Sequence, residues 1–166
     1  EDGTILVLAS QQENGQGHRT TLTQILSDKL GFDADKIEIL QGDSARTPHG
    51  TTGGARMTAV LGSTVAEVAA HTLEAARPYA AEALNCEESE LVFVDGIFSA
   101  SGTNRSITIE DLVLLLVPDS GDHPFNIKHS YEPEGSTYPY GCHIAEIEMD
   151  PATCDVNIMR YTVVDD

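Results

Sequence analysis

The chain has 166 residues, of which 40% are hydrophobic and 22% charged, and its 9 basic and 27 acidic side chains give a net charge of −18. This composition fits a globular domain that buries a core without disulfides or a structural metal. The acid excess repels nucleic acid phosphates and anionic membrane surfaces, so neither is an expected partner. Cys86, Cys142 and Cys154 are an odd number without C-x-x-C spacing, which argues against a disulfide framework or zinc site and points to the cytoplasm. No signal peptide is visible, and no run approaches the ~18 apolar residues of a membrane span.

Thr4–Ser10 reads as a short buried strand, and Thr20–Leu30 as a helix with Leu22, Ile25, Leu26 and Leu30 on one face and Gly31 as its stop. Between them lies Gly15-Gln16-Gly17-His18, a glycine-rich turn of the kind that directs backbone N–H groups at an anion. Lys36–Leu40 is a second strand. A loop over 41–54 then ends in Gly53-Gly54-Ala55-Arg56-Met57-Thr58, a second glycine turn that opens the longest helix, Arg56–Ala76. Pro78 is expected to kink that helix or start a new turn, because proline has no N–H to donate.

Asp95-Gly96 between Leu91–Val94 and Ile97–Ser99 is a hairpin signal, and Thr108 with Asp111 three residues on starts a short helix. The 118–139 stretch reads as irregular, interrupted by a strand at Asn126–Tyr131. The chain closes on a hairpin of Cys142–Met149 with Val156–Val164, with Glu146 and Glu148 on its solvated face. Strands, helices and hairpins in this order predict an α+β fold, a mixed sheet with packed helices. A glycine-turn half, 1–85, precedes a hairpin-rich half, 86–166.

Several catalytic classes are absent. The first turn is neither G-x-G-x-x-G nor G-x-x-x-x-G-K-[ST], and no G-x-S-x-G elbow occurs. The six histidines show no metal-ligand spacing; His18 and His49 flank the glycine turns and are the two placed to touch a ligand. Two anion-cradling turns suggest a phosphate-bearing ligand gripped at two points. The competing reading is a non-enzymatic acidic α+β interaction domain whose glycine turns are structural. Convergence of the amides of Gly15–His18 and Gly53–Arg56 on one concave surface favours the ligand reading, and their placement on opposite sides of the domain favours its rival.

Glu13-Asn14-Gly15-Gln16-Gly17-His18-Arg19-Thr20-Thr21, Leu30-Gly31, Gly42-Asp43, Thr47-Pro48 and Gly53-Gly54-Ala55-Arg56-Met57-Thr58, in this order, resemble the molybdenum hydroxylases, the family of xanthine dehydrogenase, aldehyde oxidase and aerobic carbon monoxide dehydrogenase. Tyr138–Pro151 also looks like that family's large subunit. The resemblance implies a molybdenum-cofactor-binding domain in which Gly15, Gln16, Gly17 and His18, with Gly54, Ala55, Arg56 and Thr58, contact the molybdopterin. Whether the cofactor is the cytosine dinucleotide form stays open.

The resemblance further implies that this chain is a fragment, because the family's general-base glutamate and an earlier metal-contacting loop lie outside it. Iron–sulfur and FAD groups belong to other domains or subunits, so the rest of the large subunit and electron-transfer subunits are its expected partners. The parent would hydroxylate a small-molecule substrate, an aldehyde or N-heterocycle, while the fragment alone would be inactive. No catalytic residue or protein metal ligand is assigned within the chain. Gly53 stands where many members carry an aromatic, and Cys154 where a turn glycine is usual.

Overall fold

The computed structural model describes residues 3–54, 56–117, 122–136, 138 and 140–165. The fold is α+β, with helices packed on small sheets. Its residues group into two compact units, Glu1–Glu134 and Gly135–Asp166.

In the first unit, strands β1 (Ile5–Ala9) and β2 (Ile37–Gln41) pair in parallel, from Ile5 opposite Ile37 to Ala9 opposite Gln41. Helix α1 (His18–Leu30) connects them, as a parallel pair requires. It buries Leu22, Leu26 and Leu30 at four-residue intervals, each contributing about 1.5–3 kcal/mol by leaving water. The helix ends at Gly31 in the left-handed conformation, φ 60°.

Helix α2 (Met57–Leu84) runs 28 residues and spans two cores. Met57, Leu61, Val65 and Ala69 pack with α1 and the parallel strands. Ala76, Ala80, Ala81 and Leu84 pack with strands β3 (Leu91–Val94) and β4 (Ile97–Ala100) and with Leu112. Pro78 lies inside this helix, which runs on past the expected Ala76 to Leu84. Pro78 and Glu74 are both exposed, so water can serve the carbonyl that proline leaves without a donor. Arg105 closes the far end of α2, donating from Nη1 to the carbonyls of Leu84 and Asn85.

Asp95 and Gly96 both take positive φ, 47° and 81°, as a two-residue hairpin with native twist requires. A third strand, β5 (Ser106–Thr108), pairs with β4 and leads into helix α3 (Ile109–Leu115), whose first turn is capped by the Thr108 hydroxyl accepting from the Asp111 amide at 3.0 Å. The strand expected at Asn126–Tyr131 does not form. That stretch is irregular and held by side chains instead: His129 Nε2 lies 2.5 Å from Glu67 Oε2 and its ring meets His71 edge-on, while Phe125 meets Tyr79. Pro118, Gly121 and Pro139, within the stretch read as irregular, lie outside the described residues.

The second unit is an antiparallel hairpin of β6 (Gly141–Met149) and β7 (Val156–Asp165). A register shift between Glu146 and Ile147 leaves Met159 without an opposite residue. Without it, Ile158 and Val156 would turn to the face of Glu146 and Glu148; with it they stay beside Ile147, Met149, Tyr161 and Val163. The turn closes with Cys154 at φ 62°, a left-handed position that explains why glycine is usual there.

Candidate functional site

β1 and β2 run in the same direction, so their carboxyl ends, Ala9 and Gln41, open onto the same edge of the first unit. The two glycine turns are built on these exits, the region where open parallel sheets commonly accept ligands. Gln41 Nε2 donates to the Gln11 carbonyl at 2.6 Å, and Thr52 Oγ1 donates to the Gln12 carbonyl at 2.9 Å. Gly50 passes so close to Ser10 that a Cβ there would stand 2.6 Å from the Ser10 carbonyl oxygen. These contacts draw the second loop onto the chain leaving β1.

The result is a shared cleft of about 340 Å³, lined by Asn14, Gln16, His18, Thr52, Gly53, Met57 and Thr58. Its volume falls in the range of small-molecule sites. Residues of both turns therefore line one concave surface. Of the residues assigned from the sequence, Gln16, His18 and Thr58 line the cleft. Gly15, Gly17, Gly54 and Arg56 belong to the flanking bends. Ala55 lies outside the described residues, and His49 is exposed and does not line the cleft. Asn14, Thr52, Gly53 and Met57 join the lining without having been assigned; for Thr52 the signal was available in the threonine-rich stretch 51–52, but its anchor on Gln12 was not.

Gly15 and Gly17 have φ of 94° and 79°, and a Cβ on either would meet nothing within 4 Å. The backbone conformation alone demands glycine there. One expectation is corrected at this turn: its amides do not stand free for a ligand. Glu13 Oε1 accepts from the amides of Gly15 at 3.1 Å and Gly17 at 2.9 Å, and Oε2 from Arg19 at 3.3 Å. The reason is local. Gly17, the N-cap of α1, has no side chain to cap with, and the first turn contains no acid, so the carboxylate four residues back satisfies the orphan donors. Desolvation raises the Glu13 pKa, but the amides of Gly17, Arg19 and His18 and the His18 ring outweigh it, and the group titrates below its ordinary value.

Gln16 Oε1 accepts from the Asn14 amide at 2.5 Å, which leaves its NH₂ as the side-chain donor beside the cleft. His18 is only 4% exposed, and its Nδ1 is buried with no hydrogen-bond partner among the described residues. Gln11 and Gln41 carry similarly unpartnered buried Oε1 atoms at the strand ends. Unpaired buried polar atoms cost about 1–3 kcal/mol each; of these three, only His18 belongs to a residue that lines the cleft. At the second bend, α2 starts with no side-chain cap and no acid in its first turn, next to Arg56. A polar organic anion fits this donor set. No three described His, Cys, Asp or Glu side chains are arranged to hold a metal.

An α+β unit whose glycine bends close on one cleft at parallel strand ends has the form of a small-molecule-binding domain. Residues 1–166 match the molybdopterin cofactor-binding domain family, and the chain belongs to it. It is 32% identical over 157 residues to the carbon monoxide dehydrogenase large chain of Hydrogenophaga pseudoflava, covering 92% of this chain and 20% of that one. It is 27% identical over 166 residues to subunit gamma of the 6-hydroxypseudooxynicotine dehydrogenase complex of Paenarthrobacter nicotinovorans, covering 96% and 21%.

Among solved structures, reconstituted carbon monoxide dehydrogenase from Oligotropha carboxidovorans superposes with a TM-score of 0.75 at 28% identity, covering 93% of this chain and 20% of that one. Quinoline 2-oxidoreductase from Pseudomonas putida 86 shares the fold, with a TM-score of 0.70 at 24% identity over 93% of this chain and 21% of that one. The chain spans about a fifth of the length of these relatives. It is a molybdopterin cofactor-binding domain of the kind found in carbon monoxide dehydrogenase-like large subunits.

Proposed function

We propose that this domain holds one side of a molybdenum–pterin cofactor within a larger oxidoreductase subunit, and that the cleft between the two glycine bends is the contact surface. The observation that carries the reading is the convergence of Gln16 and His18 with Thr52, Gly53 and Thr58 on one cleft. Gln16 offers a directed donor, Thr52 and Thr58 offer hydroxyls, and the uncapped start of α2 with Arg56 offers amides and positive charge to an anionic group. Gly54, with no side chain, would let the second bend approach the ligand closely. The cofactor, when bound, supplies the two-electron redox chemistry; the domain supplies orientation and electrostatics.

The parent reaction we infer is hydroxylation of a carbon centre with a water-derived oxygen. Relatives named for nicotine and 6-hydroxypseudooxynicotine favour an N-heterocycle or similar small substrate over an aldehyde, and relatives named for carbon monoxide make that gas a second candidate. Iron–sulfur and flavin groups would lie on other domains or subunits of the parent, the enzyme in the cytoplasm, and the pterin in its mononucleotide or cytosine dinucleotide form. The domain alone would not turn over substrate.

The test is cofactor content of the intact large subunit. Gln16→Ala combined with Thr58→Ala should lower molybdenum and pterin per subunit at least tenfold while the subunit stays folded. Full cofactor content in that variant would contradict the reading.

A further inference from the structure

Glu13 is half-buried, adjacent to the cleft without lining it, and has no role in the reading above. Its contacts give it one. It takes three main-chain donors at the start of α1, and that helix has neither an N-cap side chain nor an acid in its first turn. The carboxylate is thus the negative group that a helix N-terminus attracts, supplied by the protein itself. The same turn holds Gln16, whose carbonyl oxygen is tied to the Asn14 amide, and leads directly into buried His18. With a carboxylate already on these amides, an anionic ligand oxygen brought to them would meet like charge instead of free donors.

We propose that Glu13 is a positioning residue: its carboxylate fills the N-terminus of α1 in place of a ligand anion and so fixes Gln16 and His18 at the cleft, making the first bend a reader of a neutral acceptor through Gln16 Nε2. This rests on the cofactor reading.

The experiment uses the intact large subunit with Glu13→Ala, Glu13→Gln and Gln16→Ala, reading amide hydrogen exchange without cofactor and molybdenum and pterin content as purified. Glu13→Ala should speed exchange at Gly15, Gly17 and Arg19 about tenfold, leave the middle of α1 unchanged, and lower cofactor content severalfold. Glu13→Gln keeps one acceptor oxygen without the charge and should restore part of both. Gln16→Ala should lower cofactor content with the three amides still protected.

Unchanged exchange in Glu13→Ala, or a rise in its cofactor content, would overturn the positioning role; the latter would make the carboxylate a plug that the ligand must displace. Released amides with full cofactor content in both Glu13→Ala and Gln16→Ala would instead overturn the cofactor reading of the first bend.

Discussion

Gly50→Ala is the most direct perturbation of the geometry that joins the two bends. A methyl group at Gly50 would stand 2.6 Å from the Ser10 carbonyl oxygen, 2.8 Å from Ser10 Cβ and 2.9 Å from the Ser10 carbonyl carbon. Two of these atoms are backbone, so the loop must move away. Overpacking of this kind costs about 1–3 kcal/mol, and the reduced freedom of the unfolded chain returns about 0.4–1 kcal/mol. The net loss is about 1–2 kcal/mol, concentrated where the second loop meets the exit of β1. Gly53→Ala is the matched control: a Cβ there meets nothing within 4 Å, yet Gly53 lines the cleft. Urea unfolding and molybdenum content of the intact large subunit should separate the two. Gly50→Ala should lower both the midpoint and the cofactor content, whereas Gly53→Ala should lower cofactor content alone, with stability changed by under about 0.5 kcal/mol. A Gly50→Ala protein with the wild-type midpoint and full cofactor would refute the idea that close approach of these segments builds the cleft.

Gly31→Ala should destabilise by more than about 2 kcal/mol in denaturant titration, because the residue has φ 60° and its Cβ would strike the backbone of Asp95 and Gly96. Thr108→Ala removes the α3 cap and should cost about 1 kcal/mol in the same assay. Cys154→Gly relieves a left-handed non-glycine residue and should stabilise the β6–β7 hairpin by up to about 1 kcal/mol, read as slower exchange of its amides. The folded-state pKa of Glu13 is depressed, so the stabilisation it gives the first bend is complete above the ordinary glutamate range and is lost as pH falls through the lower folded value. Protection of the Gly15, Gly17 and Arg19 amides, corrected for intrinsic exchange, should therefore hold from pH 7 to pH 5 and decline only in stronger acid; a decline already complete at pH 5 would contradict that sign.

Much of this architecture was legible in the chain because its signals are local. A short apolar run marked β1, though Leu6 and Leu8 on it are exposed; apolar periodicity marked α1 and β2, Asp95-Gly96 the hairpin, and Thr108 the start of α3. Local propensity failed where tertiary partners decide. Asn126–Tyr131 has strand-like residues but no strand beside it, so side chains hold it to α2. β5, at three residues, is too short to leave a periodic trace and exists through its pairing with β4.

At the site, the glycines revealed where the bends lie, since positive φ restricts the residue type at Gly15, Gly17 and Gly54. They could not reveal that Glu13 would occupy the amides of the first bend, because a carboxylate reaching forward over a loop has no fixed spacing. Convergence of the bends depends on Gln41, Thr52 and Gly50 reaching residues 10–12 from thirty or more positions away, which no local pattern encodes.

The most direct measurement is a crystal structure of the intact large subunit with its cofactor bound. Pterin density should lie in the cleft between Gln16 and Thr58, with a ring acceptor within hydrogen-bond distance of Gln16 Nε2 and Glu13 still on the amides of Gly15, Gly17 and Arg19. Density elsewhere in the subunit, with Gln16, Thr52 and Thr58 facing only protein or solvent, would contradict it.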